Sequence, residues 1–128
     1  MSYLIDTHIF LWFISGDSKL SKSMKQKIED INTPCFISIA SFWEITIKKQ
    51  LGKLELKLSL KELFQYAERN NIEIIQIAYD HLNQLSKLPN IHGDPFDRLI
   101  ASQVISEKLT LLSVDENLRK YKLNIEWK

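Results

Sequence analysis

A chain of 128 residues, 45% hydrophobic and 26% charged, excludes a disordered polypeptide and is long enough to bury a core without disulfides or a structural metal, so residues 1–128 read as one domain. Its net charge of +1 gives no global sign of a nucleic-acid partner, and its longest apolar run, IFLWFI at 9–14, is far too short for a membrane span. The single Cys35 cannot pair within the chain, and Asp6 breaks the N-terminal apolar stretch before a secretory signal develops; both predict a reducing cytoplasm.

In chain order, SYLID (2–6) is a short apolar strand ending in an acid, followed by the helical stretch HIFLWFIS. LSKSMKQKIEDI (20–31) has apolar residues at 20, 24, 28 and 31, a helical period. PCFISI (34–39) reads as a buried strand, with Cys35 as a small buried hydrophobe, running into the helix ASFWEITIKKQLG that Gly52 closes. LSLKELFQYAERN (58–70) is a second amphipathic helix stopped by Asn70 and Asn71. IEIIQI (72–77) is rich in β-formers, and YDHLNQLSKL (79–88) returns to helix before Pro89. DPFDRLIASQVISEKL (94–109) is a helix, LTLLSV (109–114) a strand, DENLRKYK a short helix and NIEW (124–127) an edge strand. Alternating strands and helices predict an α/β fold: a mainly parallel sheet of four to five strands, covered on both faces in three α/β/α layers.

Ligands of open parallel sheets bind outside the carboxyl ends of the strands. Asp6 ends the first strand and Asp115 follows the fourth, so both belong on that edge, although each also suits a helix cap. Glu44 lies among Phe42, Trp43, Ile45 and Ile47, a pattern that points it inward, although pairing with Lys48 four residues on is an alternative. In HGDPFDRLIASQ (92–103), Asp94 suits an N-cap before Pro95, and Asp97 falls in the first helical turn, where the helix dipole favours an ionised carboxylate. Four carboxylates from four segments make an all-oxygen set suited to Mg²⁺ or Mn²⁺, and the Cys/His spacing of a zinc site is missing. His8 and His92 adjoin this set as hydrogen-bonding or capping residues rather than ligands. With glycine only at 16, 52 and 93, there is no phosphate-binding loop of the nucleoside-triphosphate type.

The blocks LIDTHIFLWFISGD, ISIASFWEITIKKQLGKLEL, HGDPFDRLIASQ and TLLSVDENLRKY, in order over essentially the whole chain, resemble the PIN-domain ribonucleases, and most closely the VapC-like toxins of bacterial type II toxin–antitoxin pairs. The resemblance implies a PIN-like fold and a Mg²⁺- or Mn²⁺-dependent endoribonuclease whose acidic quartet falls on Asp6, Glu44, Asp97 and Asp115. Ser113 matches a small hydroxyl that supports the site, and Asp94 matches a capping position. It also implies an RNA substrate, a cognate antitoxin and a homodimer. The IFLWFI run puts apolar side chains on every face of its helix, so its cover comes either from neighbouring helices of the same domain or from such a partner, with Trp12 as the expected aromatic contact in the second case. Lys48, Lys53 and Arg98 are candidate phosphate contacts, with solubilising surface lysines as the alternative for the first two. Two rival readings stay open: a catalytically silent interaction module on the same fold, and an acidic-pocket phosphatase or phosphoacceptor. The latter expects a phosphate loop where this chain carries HIFLW.

Overall fold

The computed structural model describes residues 1–91 and 93–126, so the expectations for His92 and for Trp127 at the end of the last strand lie outside the described residues. Five strands, β1 (Tyr3–Ile5), β2 (Cys35–Ser38), β3 (Ile72–Ile75), β4 (Thr110–Leu112) and β5 (Asn124–Glu126), form one sheet in the order β3-β2-β1-β4-β5. Every pairing is parallel. The helices are α1 (Thr7–Ser15), α2 (Lys22–Glu29), α3 (Ile39–Gln50), α4 (Leu60–Arg69), α5 (Tyr79–Lys87) and α6 (Pro95–Glu107), with a 3-10 turn at Glu116–Lys120. The segment DENLRKYK therefore makes only one short 3-10 element, too brief for an α-helical ladder.

Strand side chains alternate between the two faces, and the core divides accordingly. Ile5, Ile37 and Leu112 point to one side, where they meet Ile9 and Phe10 of α1, Met24 and Ile28 of α2, Phe42 and Ile45 of α3, and Leu63 and Ala67 of α4. Phe42 anchors this layer, stacked on Phe64 at 4.3 Å and edge-on to Phe10 at 5.6 Å between ring centroids. Leu4 and Leu111 point to the other side, against Ile100, Ala101 and Val104 of α6 together with Leu88, Leu118 and Tyr121. These are the expected three layers.

The apolar run of α1 is divided in the same way. Ile9 and Phe10 are fully buried, whereas Leu11, Trp12, Phe13 and Ile14 are half-buried against the same core. Neighbouring helices thus supply most of its cover. Gly16 takes φ 66° and returns its N–H to Phe13 and Trp12, a left-handed helix end that glycine adopts without strain. Among the described residues, no helix is long and apolar enough to cross a membrane.

The register positions the functional edge. Ile5 pairs with Ile37 on one side and Leu112 on the other, so the residues one step further, Asp6, Ser38 and Ser113, leave the three central strands at one level. The chain winds outward from β1 through β2 to β3, then crosses back to place β4 and β5 on the other flank. The crevice of such a sheet opens at this reversal, between the ends of β1 and β4.

Candidate active site

Asp6 is the first residue beyond β1, and its backbone N–H continues the ladder to Leu112 O at 3.1 Å. Its side chain caps α1, with Oδ1 accepting from Ile9 N at 2.8 Å, while Oδ2 accepts from the Ser113 hydroxyl. Only 4% of its surface remains accessible. Burial is the dominant influence and raises its pKa; the bonds from Ser113 and Ile9 and the charge of His8 oppose this, and the charge of Asp115 reinforces it, leaving a value of about 6. Ser113 Oγ in turn accepts from Asp115 N at 3.0 Å, and Asp115 Oδ1 caps the 3-10 turn by accepting from Asn117 N at 2.9 Å. One serine thus links the acids at the ends of β1 and β4. Both acids are caps, and each cap uses only Oδ1.

A second group begins at the next residue. Thr7 Oγ1 lies 2.6 Å from Glu44 Oε1 and 2.9 Å from Ser41 Oγ. Glu44 is 2% exposed, inward as its apolar neighbours predict, and it pairs with Lys48 as well: Nζ stands 2.6 Å from Oε2. Burial works against the Lys48 charge, but the bond and charge of Glu44, followed by the charges of Asp94 and Asp97, outweigh it and hold its pKa above the ordinary lysine value. The Lys48 ammonium therefore faces acids of both α3 and α6. Because Asp6 and Thr7 are consecutive, the two groups meet at one peptide unit.

Asp94 is the N-cap of α6, its Oδ1 accepting from Phe96 N at 2.8 Å and Asp97 N at 3.2 Å, with Pro95 at the first helical position. This is the capping role its local sequence predicts. Asp97 is half-buried in the first turn. Arg98 Nη1 lies 3.0 Å from Pro89 O and 3.4 Å from the Tyr121 hydroxyl. Lys53 is exposed, as a solubilising lysine would be. Cys35 is buried, and burial followed by the Asp30 charge pushes its thiol up to about 11, which suits a core residue and not a nucleophile.

Thr7 and Ser41 are site residues that sequence reasoning missed. Their contacts span 34 and 37 residues, and no local sequence signal marks them. Among the described residues, no three His, Cys, Asp or Glu side chains converge closely enough to hold a metal ion. The carboxylate oxygens bond other groups instead: Oε1 and Oε2 of Glu44 meet Thr7 and Lys48, and both Asp6 oxygens accept from Ile9 N and Ser113. Clustered carboxylates repel unless a cation intervenes, and Lys48 supplies that positive charge here. The four acids, faced by one Lys48 ammonium, are nonetheless an all-oxygen, partly buried donor set, which fits a hard divalent ion.

A family model described as the PIN domain matches residues 3–123. Ribonuclease VapC22 of Mycobacterium tuberculosis is 27% identical over 121 residues, which cover 93% of this chain and 91% of that protein. Among solved structures, VapBC2 from Rickettsia felis, bound to a DNA fragment from its promoter, superposes with a TM-score of 0.75 at 22% identity over 100% of both chains. VapBC-1 from nontypeable Haemophilus influenzae superposes with a TM-score of 0.71 at 17% identity, covering 98% of this chain and 97% of that one. At these identities the two structures speak for the fold.

Proposed function

The chain belongs to the PIN domain family, and from that premise we propose that it is a divalent-cation-dependent endoribonuclease, the toxin of a toxin–antitoxin pair. The observation that carries this reading is the pair of buried carboxylates, Asp6 and Glu44, each held by a hydroxyl at the carboxyl edge of the central strands. A buried charge is costly unless it is compensated. Lys48 compensates Glu44, whereas Asp6 is held by hydrogen bonds and its pKa is raised by burial, which makes sense for a carboxylate that serves as a ligand. The similarity to a ribonuclease and to VapBC assemblies supports the substrate class and the antitoxin partner, with residues 1–128 acting as one cytoplasmic domain that forms a homodimer.

In this reading Asp6 and Asp97 hold Mg²⁺ or Mn²⁺ directly, and Glu44 and Asp115 complete the site. When bound, the ion supplies an activated water for attack on the phosphodiester and neutralises the charge that develops there. The chain's own residues do the positioning. Ser113 fixes the Asp6 and Asp115 ends of the site, and Thr7 fixes the Glu44 carboxylate. Lys48 gives up Glu44 and meets a phosphate oxygen of the RNA instead, so its charge stays compensated in both states.

The test is selectivity: purified protein, with Mg²⁺ or with Mn²⁺, offered RNA and a chromogenic phosphomonoester. RNA cleavage abolished by EDTA, with no phosphomonoester hydrolysis, is the expected result. Phosphomonoester hydrolysis without RNA cleavage overturns the reading in favour of a phosphatase, and inertness towards both substrates overturns it in favour of a silent binding module.

A further inference from the structure

Trp43 is out of place by the rules that govern its helix. Phe42 and Ile45 of α3 are buried in the core, yet Trp43 keeps 55% of its surface exposed. Its aromatic contact is Phe96, in the first turn of α6, with centroids 5.0 Å apart and planes at 83°. In an edge-to-face pair, the ring that offers its edge keeps both of its own faces uncovered by the partner. Trp43 immediately precedes Glu44, and Phe96 immediately precedes Asp97. The aromatic pair therefore bridges α3 and α6 at the level along each helix that carries an acid, with Trp43 turned outward and Glu44 inward. Lys48, bonded to Glu44 and within the electrostatic reach of Asp94 and Asp97, lies in the same region.

We propose that the Trp43–Phe96 pair is the platform on which an unpaired nucleobase of the RNA stacks beside the scissile phosphate. This inference rests on the endoribonuclease reading and specifies how that site takes its substrate. A single strand presents two surfaces to a protein, a charged backbone and the faces of its bases. The acids repel the backbone, and the Lys48 ammonium, already paired with Glu44, offers little countervailing attraction. An aromatic face adds affinity without adding charge, and every base has a π-face to offer it. The platform thus selects single-stranded over duplex RNA, because the faces of duplex bases are covered by the neighbouring base pairs, and it is tolerant of base identity.

The experiment measures binding without cleavage. Wild type, Trp43→Ala and Trp43→Phe are titrated in EDTA with a labelled single-stranded oligoadenylate of about ten nucleotides and with an abasic ribose-phosphate oligomer of the same length. Circular dichroism and thermal melts confirm the fold of each variant, and sedimentation reports its oligomeric state. Stacking of one base on one aromatic ring predicts about 5- to 150-fold weaker oligoadenylate binding by Trp43→Ala, with abasic binding unchanged and most of the loss restored in Trp43→Phe. An equal loss on both oligomers overturns the proposal, as does unchanged binding of the oligoadenylate. Unchanged RNA binding with an altered oligomeric state overturns it in favour of a contact between copies of this chain. Because the titration needs no catalysis, failure of the wild type to cut RNA counts against the endoribonuclease reading alone.

Discussion

The Asp6 carboxylate is buried, neighbours Asp115, and titrates near 6 rather than at the ordinary 3.8. A carboxyl whose folded pKa lies above its unfolded value destabilises the fold when ionised. Below about pH 4 both states carry the proton and the effect is absent. Between about 4 and 6 the folded chain binds more protons than the unfolded one, so stability falls as pH rises; above about 6 the whole effect is present. The difference between 3.8 and about 6 corresponds to about 3 kcal/mol. Asp6→Asn removes the ionisation and keeps the cap, since asparagine is as good an N-cap as aspartate. Its amide can donate to Ser113 Oγ, and rearrangement of that bond costs on the order of 1 kcal/mol at every pH. Urea unfolding in EDTA at pH 5 and pH 8, for wild type and variant together, isolates the term because the other groups cancel in the difference. The variant is expected to gain about 1–1.5 kcal/mol on the wild type between the two pH values, because at pH 5 the wild type already carries about half of the effect. A difference that stays constant with pH, or that turns against the variant at pH 8, refutes the argument that Asp6 is a buried charge awaiting a cation.

Millimolar Mg²⁺ or Mn²⁺ at pH 8 should raise the melting temperature of the wild type and leave Asp6→Asn almost unmoved, since a ligand stabilises only the state that binds it; equal shifts in both proteins point to binding elsewhere. Asp94→Ala should cost about 1 kcal/mol in chemical denaturation and Asp94→Asn much less, because only the alanine loses the cap. Neither should match the loss of RNA cleavage expected for Asp97→Asn, and a dead Asp94→Asn beside an active Asp97→Asn would reverse the two roles. Thr7→Val strips a buried carboxylate of one donor and should destabilise by about 1–3 kcal/mol while lowering cleavage; denaturant melts and single-turnover assays read the two effects. Trp12, half-buried with Lys19 Nζ 5.9 Å from its ring centre, should cost more than about 1 kcal/mol of dimer or antitoxin affinity when changed to alanine. Cleavage by the free protein should survive, and unchanged affinity by calorimetry would make Trp12 a core residue.

The features legible from sequence were those with a local cause. Asp94 and Pro95 announce the start of α6 because capping depends on residues two and three positions away, and the structure has those bonds. The apolar runs SYLID and LTLLSV, and the acids that end or follow them, place the functional edge because strand direction fixes where side chains leave a parallel sheet. Glu44 was legible in part: its apolar neighbours predict burial, its spacing to Lys48 predicts an ion pair, and both are present. Thr7 and Ser41 were not legible. Their bond to each other and that of Thr7 to Glu44 span 34 and 37 residues, and one hydroxyl among many carries no periodic mark of such a contact. The exposure of Trp43 was hidden for a related reason. In a helix flanked by Phe42 and Ile45 the pattern reads as core, and only the packing of α3 against α6 decides which aromatic ring is left outside.

The central claim, that acids from separate segments form one cation-dependent site for cutting RNA, is tested most directly by an end-labelled single-stranded RNA incubated with wild type and with Asp97→Asn, each in Mg²⁺, in Mn²⁺ and in EDTA. The account predicts internal cleavage by the wild type in one or both metals, none in EDTA, and a loss of at least about a hundredfold in rate for Asp97→Asn, the scale seen when a charge-stabilising group is removed from an active site. Undiminished cleavage in EDTA, or by Asp97→Asn in metal, contradicts it.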